Sequence, residues 1–241
     1  MFETYSHLFL QQYWWTIISI LGALLVFLMF VQGGQTLFYT LGKTPTERSM
    51  LINALGRKWE TTFTALVTFG GGLFAAFPLF YATSFGGAYW LWMAILFCFI
   101  IQAVSYEFRS KPNNFLGPKT YEVFLFINGS LGTFLIGVVV SSFFTGSDFI
   151  VNNQNSSRWM NSHHGLELIL NMQNISLGLT IFFLSRVMAL LYFIKNIDHD
   201  NLLTRIHNHL RTNGAAFVVV FLIFLAQLLS REGFAYNPQS G

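Results

Sequence analysis

The sequence predicts an all-α protein, a polytopic bundle of membrane helices, and two observations carry that prediction. Of its 241 residues, 54% are hydrophobic and only 10% are charged, with a mean hydropathy of +0.53, whereas an ordinary soluble domain is about 25% charged. Charge-free windows also recur at the length of about 20 residues that a helix needs to cross a bilayer. We therefore expect lipid to be the main solvent of the folded chain.

Six windows fit membrane-spanning helices. The first precedes Lys43, and the second and third share the gap from Glu60 to Glu107, which the segment ATSFGGAYW divides. Arg186 interrupts the fifth, and Pro78 is expected to kink the second near one end. The predicted helices cover residues 13–39, 61–81, 87–106, 121–144, 165–194 and 214–229.

Each end of the chain carries an expectation. The start, MFETYSHLF, has no basic n-region and no small-residue cleavage site. The first apolar run is therefore predicted to be a retained anchor rather than a signal peptide. The end, REGFAYNPQSG, is predicted to be a turn-like segment, either a short tail or a point at which the sequence stops within a loop.

Lys and Arg are distributed unevenly between two sets of loops. The loops that precede helices 3 and 5 and the segment after helix 6 hold only Arg158 and Arg231. Positive residues favour the cytoplasmic side, so the other set of loops is predicted to be cytoplasmic and the N-terminus external. Glu60 then lies at the cytoplasmic end of helix 2. The predicted cytoplasmic residues are Lys43, Arg48, Arg57, Lys58, Arg109, Lys111, Lys119, Lys195, Arg205 and Arg211.

Composition and histidine placement argue against several kinds of site. The net charge is only +3, and no basic stripe with interleaved aromatic residues suggests a nucleic-acid partner. Every histidine is predicted to lie at a helix end or in a loop, so we expect no buried haem with two His ligands. A weak metal site at His163 and His164, or in the predicted loop HDNLLTRIHNH, is the less favoured alternative. The single Cys98 is expected to serve packing.

Three ionisable side chains border or enter the predicted spans, where such groups are costly and point to function. Glu60 is interpreted either as an anion that suits the N-terminus of helix 2 or as a proton acceptor that faces the cytoplasm. Glu107 stands next to Arg109, which favours an interfacial ion pair. Arg186 is expected to reach the interface, to pair with another chain or to bind a lipid phosphate.

Three segments resemble subunit II of the bacterial cytochrome bd quinol oxidases in order, spacing and membrane phase. They are TPTERSMLINALGRKWE, GGGLFAAFPLFYATSFGGAYW and YEFRSK, and IGVVVSSFFTG also fits. The resemblance covers about residues 41–149. It implies eight helices arranged as two four-helix bundles. Residues 1–145 would then form the first bundle and residues 146–241 part of the second, with about two further helices beyond residue 241.

The resemblance also implies an activity and a division of labour. The family's enzyme is a quinol:oxygen oxidoreductase of the bacterial cytoplasmic membrane, which oxidises quinol and reduces dioxygen to water. Two b-type haems and one d-type haem lie in the larger subunit I. Subunit II carries no haem, supports assembly and supplies part of a cytoplasmic proton path. The implied partners are subunit I, membrane lipids, the quinone pool and a small accessory single-helix subunit.

The resemblance gives Glu60 a role. The family usually has an acidic residue directly after the Trp of the motif that KWE resembles, and that acid belongs to the proton path. The predicted path comprises Glu60, Glu107 and the hydroxyls of Thr61, Thr62 and Thr64, and we expect Glu60 to be buried enough to exchange protons near neutral pH. No catalytic residue or metal ligand is expected in this chain. Structural or interface roles are predicted for Trp59, Arg109, Gln102, Gln35 and Arg186.

Two places depart from the family's pattern. The family typically shows a D-G-x-D-like acidic cluster at the cytoplasmic end of helix 1, where this chain has Gln32, Gly33, Gly34 and Gln35. Gln102 stands where the family typically has an Arg late in helix 3. If that acid and that base form a pair in the family, their joint loss avoids leaving one buried charge alone.

Two other classes of function stay open at the level of the sequence. A secondary transporter would use the glycine-broken helix 2 and the Gln- and Gly-rich helix 1 to line a polar substrate site. A purely structural membrane scaffold would need neither a substrate site nor a proton path.

Overall fold

The computed structural model describes residues 6–154 and 156–232; the predicted turn-like tail lies largely outside them. The described part is helical apart from one short β-hairpin, β1 (Phe149–Val151) and β2 (Ser157–Trp159). Its α-helices are α1 (His7–Leu28), α2 (Phe30–Gln35), α3 (Phe38–Leu41), α4 (Pro45–Gly56), α5 (Trp59–Ala76), α6 (Pro78–Tyr81), α7 (Tyr89–Phe108), α8 (Pro118–Ile127), α9 (Thr133–Thr145), α10 (Met172–Asn196) and α11 (Asp200–Leu229).

The predicted all-α membrane architecture is confirmed. Five helical stretches among the described residues are long and apolar enough to cross a membrane: His7–Gln35, Tyr89–Phe108, Pro118–Thr145, Met172–Asn196 and Asp200–Leu229. The other predicted span forms the 18-residue helix α5. Glu60, several threonines and three glycines lower its hydropathy, so its crossing of the membrane stays a prediction.

Three predicted boundaries differ from the structure. The segment HDNLLTRIHNH is not a loop, because α11 begins at Asp200 with His199 as its N-cap. The predicted cytoplasmic loop before Glu60 contains α4, which starts with a capping box formed by Thr44 and Glu47. Predicted helix 5 begins with a 3₁₀ turn, Leu166–Leu170, before α10 starts.

Helix irregularities divide several of the predicted spans, and the first is split into α1, α2 and α3. The kink expected at Pro78 is confirmed as a break, since α5 ends at Ala76 and α6 begins at Pro78. A π-helical turn, Asn128–Gly132, separates α8 from α9. A second π turn, Ala82–Gly86, leads toward α7, and the β2 residue Trp159 donates its indole N–H to the carbonyl of Thr83 at 3.0 Å.

Helix α10 lies at the centre of the packing, between α9, α11 and α2. Glycines permit its closest approach to α9, because a Cβ on Gly137 would lie 2.7 Å from the Cα of Gly178. A large apolar core holds the helices together at the end of the molecule nearest α4, where Phe38, Leu51 and Phe193 are fully buried. The division into two bundles at residue 145 stays a prediction.

Candidate functional site

A cavity of about 470 Å³ opens where α4, the start of α5 and the end of α7 meet. Trp59, Glu60, Tyr106, Glu107 and Arg109 contribute to its lining. The structure thus brings four predicted site residues together, two acids, one base and one aromatic ring, although the two halves of the cavity lie 45 or more positions apart in sequence. By the Lys and Arg distribution this end of the molecule is the predicted cytoplasmic side.

Glu60 lies in the first turn of α5, where a negative charge complements the helix N-terminus. Within the described ranges, however, no side chain caps this helix, and its N-cap residue is Lys58. The carboxylate is exposed, so the expectation that Glu60 is buried was wrong. Its position at the open cavity gives it direct contact with solvent.

The three threonine hydroxyls that follow Glu60 have different environments. Thr61 and Thr64 are exposed beside it on α5. Thr62 is fully buried, and its hydroxyl donates to the backbone carbonyl of Leu28 in α1 at 3.1 Å. The hydroxyl of Thr62 therefore holds α5 against α1, which leaves Thr61 and Thr64 as the two that can bind water next to the carboxylate.

The ion pairs near the cavity differ from the predicted one. Arg109 does not pair with Glu107; it binds Glu122 of α8, with 2.7 Å between Nη2 and Oε1. Arg48 approaches the same carboxylate at 3.7 Å. Glu107 instead pairs with Lys111 one helical turn away, at 2.9 Å on the exposed surface. Glu122 is 4% exposed. The sequence analysis did not single it out, although it directly precedes a long charge-free stretch, because its partners Arg48 and Arg109 lie on other elements.

Behind the cavity, a row of neutral polar groups runs into the helices. Trp59 stacks on Tyr106 with 5.8 Å between ring centroids and an interplanar angle of 9°. The amide of Gln35 donates to the Tyr106 hydroxyl at 3.3 Å. Deeper still, Gln32 donates to the amide oxygen of Gln102 at 3.2 Å. The two places that depart from the family's charged pattern therefore face each other in the fold.

Several polar atoms of this row are buried without a partner among the described residues. They are the side-chain oxygens of Gln32 and Gln35, the amide nitrogen of Gln102 and both amide atoms of Asn128 in the π turn. An unsatisfied buried polar group costs about 1–3 kcal/mol, and such groups normally bind ordered water or a ligand. Patterns along single helices contain no signal for this cluster, because three separate elements contribute to it.

Glu47 is a second acid that the sequence analysis did not single out. It is buried, accepts the backbone N–H groups of Lys43 and Thr44, and forms an ion pair with Arg205 of α11. The Arg205 guanidinium and, more weakly, those N–H groups lower the pKa of Glu47 to about 2, although burial raises it. The capping-box spacing Thr-x-x-Glu was the available sequence signal.

Arg186 and the histidines complete the inventory of predicted residues. Arg186 is half-buried on α10, and its guanidinium lies 5.3 Å from the centroid of the Phe182 ring. His207 and His209 lie on α11 and not in a loop. In the part of the chain that the structure describes, no three His, Cys, Asp or Glu side chains are grouped to hold a metal ion.

Comparison with known proteins decides the family. Residues 10–235 match the family of the cytochrome bd terminal oxidase subunit II. The chain belongs to this family. Its sequence is 29% identical over 175 residues to the cytochrome bd ubiquinol oxidase subunit 2 of Bacillus subtilis (strain 168), a match that covers 71% of the chain. It is 30% identical over 142 residues, 58% of the chain, to the cytochrome bd-I ubiquinol oxidase subunit 2 of Escherichia coli (strain K12).

A third relative is the probable cytochrome oxidase subunit 2 of Haemophilus influenzae, 30% identical over 147 residues, or 60% of the chain. The matches cover 49% of the B. subtilis protein, 38% of the H. influenzae protein and 37% of the E. coli protein. The chain thus spans about half or less of the length of these relatives. Membership relates the chain to subunit II of the cytochrome bd terminal oxidases, and its long apolar helices make it a multi-pass membrane protein.

Proposed function

We propose that this chain is the non-haem subunit of a complex that oxidises quinol and reduces dioxygen to water in the bacterial cytoplasmic membrane. The family and the two relatives named as ubiquinol oxidase subunits support the oxidase over a secondary transporter or a structural scaffold. The quinone pool then supplies the substrate. Membrane lipids and a small accessory single-helix subunit are further proposed partners.

The haems of such a complex belong to subunit I in this proposal, as two b-type haems and one d-type haem. A haem held by two histidines needs imidazoles on facing helices. The described histidines do not fit that need. His207 and His209 are two residues apart on α11, and His199 caps the same helix. His163 and His164 lie between the hairpin and α10, and His7 is the first residue of α1. In this proposal the chain contributes to proton uptake and to assembly of the complex.

We infer that Glu60 takes up protons from the cytoplasm for the oxygen-reducing site. The observation that carries this role is the cavity, which joins the exposed carboxylates of Glu60 and Glu107 to the Trp59–Tyr106 stack and the buried amides behind it. A carboxylate can bind and release a proton, whereas the amides of Gln32 and Gln102 can only orient water by donating and accepting hydrogen bonds. Protons would pass along such water toward subunit I.

The partner is proposed to cover the exposed face of α5. This helix packs mainly against α1, while Glu60, Thr61 and Thr64 remain exposed. Contact with subunit I would enclose the two hydroxyls and turn the open cavity into a path between the subunits. Glu107, held by Lys111 at the surface, would act as an auxiliary proton-collecting group.

The test is the Glu60→Gln variant of the assembled oxidase, which keeps the size and hydrogen bonding of the side chain and removes its exchangeable proton. Quinol oxidase turnover should fall several-fold with haem content unchanged, and Glu60→Asp should retain more activity than Glu60→Gln. Asp148→Asn, an exposed acid on the opposite end of the molecule, is the matched control and should leave turnover unchanged. A fully haem-loaded Glu60→Gln complex with wild-type turnover would remove Glu60 from the mechanism.

A further inference from the structure

Three basic side chains come together where α10, α11 and the end of α3 meet. Arg186 belongs to α10 and His209 to α11, and Lys43 lies two residues after the end of α3. Helices α10 and α11 pack closely against each other, and Arg186 and His209 lie about equally far along them from the turn that joins the two helices. Glu47, which binds the backbone N–H of Lys43, pairs with Arg205, one helical turn before His209. Like charges gathered in this way repel one another unless an anion lies between them.

Arg186 lacks a hydrogen-bond acceptor for its buried Nε among the described residues. Its guanidinium lies against the ring of Phe182. Arg offers five N–H donors and no acceptor. A donor removed from water and left unpaired is costly, so a ligand with acceptor oxygens would restore what burial removes.

The acids on the surrounding elements are committed or distant. Glu47, whose carboxylate binds the backbone N–H of Lys43, already pairs with Arg205. Asp198 and Asp200 lie at the turn between α10 and α11. At a rise of 1.5 Å per residue, Asp200 is about 14 Å along α11 from His209. The described protein therefore supplies no carboxylate to the three bases.

The level of this cluster along α11 indicates where the anion comes from. Residues 200–213 of α11 are largely polar, and residues 215–229 are largely apolar. His209 lies just on the polar side of that boundary, and exposed apolar side chains follow, among them Val219 and Ile223. Positive side chains above exposed apolar surface suit an anionic lipid, with its headgroup at the bases and its acyl chains along the helix.

We propose that Arg186, together with Lys43 and His209, binds the phosphate of an anionic membrane lipid. The guanidinium would donate to the phosphate oxygens, as Arg does in charge-assisted pairs, and Lys43 would add a second positive charge. The bound lipid would lie between α10 and α11 and stabilise the packing of α11 against α10, which itself packs against α2. This site does not depend on the role of Glu60.

The experiment measures lipid binding to the purified, delipidated oxidase complex by native mass spectrometry, with phosphatidylglycerol and phosphatidylcholine as probes. Arg186→Gln should weaken phosphatidylglycerol binding by about tenfold or more, since a charge-assisted hydrogen bond contributes about a decade in affinity. Phosphatidylcholine should bind weakly to both proteins. Arg211→Gln is the matched control: it removes the same charge from α11 at an exposed position, about 200° around the helix from His209, and should have no effect.

Equal phosphatidylglycerol binding by the wild type and Arg186→Gln would overturn the site, as would an equal loss in Arg211→Gln, which would indicate general surface charge. If inorganic phosphate displaces the lipid in an Arg186-dependent manner at millimolar concentration, free phosphate replaces lipid as the occupant. Should Arg186→Gln fail to assemble, Lys43→Gln provides the second test, because Lys43 is exposed outside the helices. It should also weaken phosphatidylglycerol binding, and unchanged binding would contradict the proposal.

Discussion

Gln32 and Gln102 show how this chain manages a buried polar contact with neutral groups. Both side chains are fully buried, and one amide donates to the other across 70 residues of sequence. An ion pair at this depth would lose the hydration of two charges, and removal of one partner would leave an uncompensated charge. The amide pair needs no counterion. It also keeps one acceptor and one donor free for water, the oxygen of Gln32 and the nitrogen of Gln102.

Glu47 carries the pH dependence expected at the scale of single residues. Its pKa falls from an ordinary 4.5 to about 2 in the folded chain, mainly because of Arg205. A lowered folded pKa means that the stabilisation is present above the unfolded pKa and is lost as the pH falls from about 4.5 to about 2. In detergent, the wild-type Tm should therefore fall through this window, whereas Glu47→Gln should have a lower Tm at pH 7 and a flatter profile below pH 4.5.

Glu107→Gln is the matched control for that measurement. Glu107 also forms an ion pair, but with Lys111 on the exposed surface, where its side chain is 60% accessible. Exposed pairs of this kind contribute about 0–1 kcal/mol, so the control should follow the wild-type profile closely. A Glu47→Gln variant with the wild-type Tm at pH 7 would show that the link between α4 and α11 contributes nothing to stability.

At the scale of secondary structure, apolar windows predict spans well and polar helices poorly. The windows at 87–106 and 121–144 correspond closely to α7 and to the α8–α9 stretch, because lipid imposes length and composition on a crossing helix. The first turns of α11 and all of α4 project beyond the apolar windows. These polar helical segments are stabilised by caps and by ion pairs such as Glu47–Arg205. A search for long apolar windows detects neither caps nor ion pairs.

Two neighbouring glycines of α5, Gly71 and Gly72, lie on different faces of the helix. A Cβ on Gly72 would lie 2.7 Å from Cδ1 of Ile18 in α1, whereas a Cβ on Gly71 would meet no atom of the described residues within 4 Å. Gly72 thus permits contact inside the chain. Gly71 lies on the open face of α5 that is proposed to meet subunit I, where small residues let helices approach closely.

We therefore expect Gly71→Leu and Gly72→Leu to fail differently. Gly72→Leu should destabilise the chain itself by about 1–3 kcal/mol through overpacking against α1 and reduce its accumulation in the membrane. Gly71→Leu should accumulate normally, but affinity purification of this variant should recover much less of the proposed haem-bearing partner. Wild-type haem recovery with Gly71→Leu would mean that this face of α5 contacts lipid and that the partner docks elsewhere.

At the scale of the whole molecule, successive connections between the membrane helices lie alternately at the two ends of the helix bundle. At one end, Arg48 of α4 and Arg109 after α7 share Glu122 of α8, and Glu47 of α4 pairs with Arg205 near the start of α11. The other end joins the α6–α7 connection to the hairpin through Trp159 and Thr83. Arg231, just after α11, binds the carbonyl of Thr145 at the end of α9. This alternation agrees with the loop sets predicted from Lys and Arg.

The same scale shows why the candidate site was only partly predictable. Glu60 and Trp59 are adjacent in the chain, so a motif can identify them. The contact of Gln35 with Tyr106 spans 71 residues, and the pairing of Arg109 with Glu122 in preference to Glu107 depends on where α8 packs on α7. Such choices follow from the assembled helices, because neighbours in sequence compete with partners that only tertiary packing brings near.

The distribution of Lys and Arg predicts which end of the helix bundle faces the cytoplasm. Reporter fusions at Lys111 and Asp200 should give cytoplasmic signals, and a fusion at Asn153 in the hairpin loop should give an external signal. The contacts at the two ends require Lys111 and Asp200 to agree with each other whatever the orientation, so disagreement between them would contradict the fold. If both were external, the Glu60 cavity would open to the side on which a respiratory membrane accumulates protons, and Glu60 could not collect them from the cytoplasm.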